Sequence, residues 1–84
     1  MAVGTVTHIN ARNGMFIVAI EAGDYAAFQN LSSTEIAVGD RISGDLDALG
    51  SEDLLHLGEG EMFEASGESG PCGLQACLRV AFGG

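Results

Sequence analysis

No lysine and no tryptophan occur among the 84 residues, proline appears once and cysteine twice. With only Arg12, Arg41 and Arg79 against twelve acids, the formal charge is −9 and the isoelectric point about 4.2. Nucleic-acid affinity rests largely on cations that displace counterions condensed on phosphate, and three scattered arginines make no such groove. The same sign opposes anionic membrane surfaces. No apolar run approaches the roughly 18 to 20 residues of a membrane span, and no basic-then-apolar leader follows Met1. No membrane partner is therefore expected, and a cytoplasmic location is. Cys72 and Cys77 are too few for a disulfide framework and read as small apolar side chains in a reducing compartment.

Leu, Ile, Val and Phe supply 22 residues, about 26% of the chain, above the roughly 20% that marks disorder. One domain spanning 1–84 is the expectation, too small for much of a catalytic pocket. The charge is uneven: 1–39 carries −2, 40–68 carries −8 and 69–84 carries +1. One end should be strongly negative, either as a solubilising surface or as a patch that steers towards a basic partner.

Val3 to Asn10 is rich in β-branched residues and ends at Arg12-Asn13-Gly14, a reversal signal between antiparallel strands. Met15 to Glu21 is an almost unbroken apolar run, read as a central strand. Ala22-Gly23-Asp24 turns into Tyr25 to Gln29, a third strand with Tyr25 and Ala27 on one face and Ala26 and Phe28 on the other. Ser32 to Glu35 has capping-box form with room for one helical turn at most. Strands are expected at Arg41 to Leu46, with Gly44 as a bend, at Asp53 to Leu57 and at Glu61 to Ala65. Thirteen glycines suit a strongly coiled small sheet. The last segment fits two templates. Leu74, Ala76, Leu78, Val80 and Phe82 alternate as in a strand, while Leu74, Cys77, Leu78 and Ala81 share a helical face. Pro71, Arg79 and Gly83 at its ends tilt the reading to helix. The fold class is thus all-β or mainly β, a five- to six-stranded OB-like barrel with an optional short C-terminal helix.

Gly4 to Val18, with its G-x-V…N…G skeleton, resembles without a gap the opening strands of cold-shock domains, which are small OB-fold barrels. Gly70-Pro71-Cys72-Gly73-Leu74-Gln75-Ala76 is similar to the G-P-x-G-x-Q-A stretch that opens that family's last strand, which implies a strand here. Small bacterial OB-like proteins with a Gly-Met-x-x-Val, Gly-Asp-Tyr-x-x-Phe and Gly-Asp-x-Ile-x-Gly pattern are comparably similar. The cold-shock resemblance implies single-strand binding by stacking bases on surface aromatics flanked by lysines. Those groups are missing: the lysine and tryptophan after G-x-V are Thr7 and His8, and in the K-G-F-G-F stretch Asn13, Met15 and Ile17 stand for the lysine and the outer phenylalanines. Methionine and isoleucine offer no flat π face.

His8, Tyr25 and Phe28 are the candidate binding residues, remnants of a face on adjacent strands, although Phe28 fits the core better and His8 a solvated strand position. Cys72, Cys77, His8 and His56 total a zinc-like set, but C-x4-C sets the sulfurs about 140° apart around a helix or on opposite strand faces. Asp45 with Asp47, and Glu59 with Glu61, lack a calcium-loop pattern. Ser51, Asp53 and His56 lack the elbow of a hydrolase, and Gly67 to Gly73 lacks the lysine of a phosphate loop. No catalytic residue, metal site or cofactor is expected. The reading is a non-enzymatic acidic module for protein–protein interaction, with a basic protein as partner; the alternative is single-stranded nucleic-acid binding of cold-shock type.

Overall fold

Apolar residues on both faces of a strand require cover on both sides, and Met15-Phe16-Ile17-Val18 meets that demand in an unusual way for so small a chain. The computed structural model describes residues 2–83. Six strands, β1 (Ala2–Asn10), β2 (Met15–Ile20), β3 (Tyr25–Asn30), β4 (Arg41–Gly44), β5 (Gly50–His56) and β6 (Glu61–Gly67), are followed by one helix, α1 (Leu74–Phe82). The strands pair antiparallel in the order β1-β2-β3-β6-β5-β4, and β4 returns to β1 to close a barrel. This architecture is compatible with an OB-like fold. Phe16, Val18 and Ile20 of β2 point inward with Val6, Ala26, Phe28, Ile42, Leu54, Phe63 and Ala65. The other face of β2, Met15 and Ile17, lies with Ala27 beneath Cys77 and Ala81 of α1.

The meander runs as its turns dictate. In the β1–β2 loop only Gly14 takes a positive φ, and its amide and that of Asn13 both donate to the Asn10 carbonyl. The reversal is therefore a four-residue loop and not a two-residue Asn-Gly turn, which needs positive φ at both positions. A bulge between Val6 and His8 leaves Thr7 unpaired. It resets the alternation, so that Val6 and Ile9 both pack towards the interior and His8 stays outside. On β3 the expected division holds: Ala26 and Phe28 inside, Tyr25 and Ala27 outside.

Some boundaries differ from the sequence reading. β4 stops at Gly44, where φ is +154°, and Leu46 plugs the barrel from a loop. β5 starts at Gly50 and β6 runs on to Gly67. That extension needs glycine, because a Cβ at Gly67 would lie 2.0 Å from the Ala48 carbonyl oxygen. Ser32 to Glu35 forms no helix. Asn30 Oδ1 accepts the Ser32 amide and Ser32 Oγ accepts the Thr34 amide there, the local competition that disfavours helix.

The C-terminal segment is helical, so the strand implied by the G-P-x-G-x-Q-A likeness is corrected. Cys72 contributes one bridge to Tyr25, with backbone hydrogen bonds of 2.9 and 2.8 Å, before the chain turns into α1. Nine residues are too few for an isolated helix in water. Its apolar face and its anchors sustain it: Asn10 and Asn13 donate from their side-chain amides to the Ala81 carbonyl at 2.8 and 3.2 Å. No helix among the described residues is long and apolar enough to cross a membrane.

Candidate functional site

The three candidate binding residues do not share a face. His8 lies outside β1 with its ring edge-on to Phe82, centroids 6.5 Å apart. Tyr25 is half-buried among the residues beneath α1. Phe28 is fully buried inside the barrel, stacked on Phe16 with centroids 5.9 Å apart, and cannot touch a partner while the barrel is closed. The strand that carries Tyr25 and Phe28 alternates, which sends them to opposite sides of the sheet.

More consequential is what covers β2 and β3. Met15 and Ile17, which the cold-shock resemblance aligned with stacking aromatics, are buried by the chain's own helix. That outer face of β2 and β3 is filled by Cys77, Leu78 and Ala81. At its rim Asn10, Arg12, Asn13, Val80 and Phe82 border a shallow cleft.

Away from α1, the outer face of β5 and β6 has no helix packed on it. There Asp53 stands directly opposite Glu64, and Leu55 opposite Met62. Asp53 and Glu64 are exposed, and Met62 is 57% exposed. Leu54, between Asp53 and Leu55 on β5, points inward and is fully buried. Ten of the twelve acids are exposed, and Arg41 is engaged with Glu21. Of the nine acids in 40–68, five, Glu52, Asp53, Glu59, Glu61 and Glu64, lie on the β5–β6 hairpin.

Nothing in the local pattern points to the part-buried polar pair of Asp40 with His56. His56 is 5% exposed at the end of β5, and its Nε2 lies 2.8 Å from Asp40 Oδ2. The Glu59 amide donates to its Nδ1 at 3.1 Å, and the Ala37 amide to Asp40 Oδ2 at 2.8 Å. The tautomer that satisfies both ring bonds carries its proton on Nε2. With both nitrogens occupied, the ring is a clamp between the 31–40 crossover and β5, with no lone pair free for acid–base work. Its inward position also separates it from Ser51 and Asp53, which lie on the outer face. No group of three or more His, Cys, Asp or Glu side chains suited to a metal ion occurs among the described residues.

The His56 hydrogen bond holds the Asp40 carboxyl below its ordinary value of 3.8, aided by the Ala37 amide and opposed by desolvation. A lowered folded value stabilises the fold above the unfolded value, and that contribution is lost as pH falls through the folded one. We expect Asp40→Asn to lower stability above about pH 4, where the carboxylate's contribution is present, and to leave it little changed well below that, so that the acid limb of the curve flattens. Urea midpoints across that range check it.

Cys72 and Cys77 also depart from the sequence reading. Cys72 is half-buried in the bridge before α1 and Cys77 is buried within α1, yet their sulfurs are 2.8 Å apart. The 140° separation assumed one continuous helix. Cys72 lies outside it, and the bend at Gly73 brings the two thiols together.

No family model matches the chain, and no curated protein or solved structure matches it either.

Proposed function

We propose that the protein is a non-enzymatic interaction module, an acidic OB-like barrel that docks a basic cytoplasmic protein on the outer face of β5 and β6. The observation that carries this reading is Asp53 opposite Glu64. Like charges directly across a strand pair oppose sheet formation, and a cationic partner relieves that repulsion on binding. Leu55 and Met62, the adjacent pair, supply apolar area for an anchor beside the charge. In this reading a cold-shock-like scaffold is retained while α1 takes the place that bases would occupy on β2 and β3.

A peptide rich in arginine and lysine with interspersed apolar residues is the probe, titrated by calorimetry. Affinity should weaken steeply as salt rises. Glu64→Lys places opposite charges across from each other, so the melting temperature should hold or rise while affinity falls about tenfold or more. Affinity indifferent to both salt and Glu64→Lys would overturn the reading.

A further inference from the structure

We propose that Cys72 and Cys77 form a dithiol redox site that takes a low-molecular-weight disulfide as its oxidising substrate and closes to an intramolecular disulfide, fastening α1 to β3. The two sulfurs are 2.8 Å apart with both cysteines free. That separation exceeds the bonded distance of about 2.05 Å by less than one ångström. Each thiol is anchored on a different element. Cys72 is held to β3 by two backbone hydrogen bonds with Tyr25, and Cys77 sits on the buried face of α1 above Ile17 and Ala27. A bond between them joins barrel to helix across the turn at Gly73.

The two thiols have distinct tasks. Cys72, half-buried, is the one an incoming disulfide can reach. Its thiolate attacks one sulfur of R–S–S–R, a Cys72–S–S–R bond forms, and R–S⁻ leaves with the proton that Cys72 released to solvent. Cys77 then loses its proton to solvent and attacks the Cys72 sulfur, and the second R–S⁻ leaves and is protonated. Two electrons pass from the cysteines to the small disulfide, yielding one protein disulfide and two R–SH. Burial and the Cys72 hydrogen bond raise the Cys77 thiol to about 11, while Ser69, 3.7 Å away, pulls it partly back. Buried and out of reach of an incoming disulfide, Cys77 takes the second, resolving step, which should quicken with rising pH as its thiolate fraction grows.

The test uses the whole chain, fully reduced and then incubated with oxidised glutathione, quenched with an alkylating reagent and weighed intact. The expected product is monomeric, two hydrogen masses lighter and closed to alkylation. Cys77→Ser should stop at the glutathione adduct on Cys72, and Cys72→Ser should react far more slowly. Because the bond closes a short loop, the oxidised form should melt on the order of 10 °C higher than the reduced. Both thiols remaining alkylatable, a persistent glutathione adduct on the unsubstituted chain, or oxidation only to interchain dimers would each overturn the proposal.

Discussion

Phe28→Ala is expected to cost the fold about 4 kcal/mol, the scale of a large aromatic deleted from a closed core. Phe16 anchors the interior, with Phe28 stacked on it at 5.9 Å and 18° and Phe63 tilted against it at 6.2 Å and 50°. Phe28 and Phe16 are fully buried, so removing one ring leaves a void bounded by strands that are hydrogen-bonded all the way round and cannot collapse onto it. For a chain of this size the melting temperature should fall by roughly 20 °C. Urea denaturation with an unchanged slope against denaturant gives the magnitude. Phe28→Leu should recover much of the loss. A ligand-contacting residue would behave in the opposite way: wild-type stability, and a defect seen only when a partner is added.

The second large effect concerns the outer layer. Ile17→Asp places a carboxylate beneath α1, among Met15, Ala27, Cys77 and Ala81, none of which can pair with it. Burying an unpaired charge costs several kcal/mol, and the chain has a cheaper response than unfolding, which is to let the helix lift. We expect amide-exchange protection to disappear over 74–82 and at the Asn10 and Asn13 anchors, while β4, β5 and β6 stay protected. Loss of protection throughout the barrel would show instead that α1 and the strands form one cooperative unit.

Much of this architecture was legible in local pattern. The β1–β2–β3 meander followed from β-branched runs and glycine turns, and the division of Tyr25 and Ala27 from Ala26 and Phe28 followed from alternation alone. The helix was one of two templates, and the face shared by Leu74, Cys77, Leu78 and Ala81 is the one that packs. Where α1 docks was also written in the chain, in the two-sided apolarity of Met15 to Val18. That signal was read as a central strand because nothing local says whether the cover is another sheet or a helix. The Asp40–His56 clamp was out of reach, since two single residues sixteen apart carry no spacing signature. Its only trace is that His56 falls in phase with Leu54 on the inward side of β5. The cysteine pair was misjudged for a nameable reason: a helical angle was applied across Gly73, where the helix has not yet begun.

These features bear on function through one contrast. The outer β2–β3 face is filled by Cys77, Leu78 and Ala81, and the outer β5–β6 face carries exposed Asp53, Glu64 and Met62 with no helix packed on it. A backbone-amide NMR titration of the reduced protein, run once with the basic peptide and once with a single-stranded oligoribonucleotide at physiological salt, tests that contrast directly. The account predicts peptide-induced shifts centred on Asp53, Leu55, Met62 and Glu64, and no saturable shifts with RNA. Saturable RNA-induced shifts at Met15, Ile17 and Ala27, with α1 displaced, would contradict it.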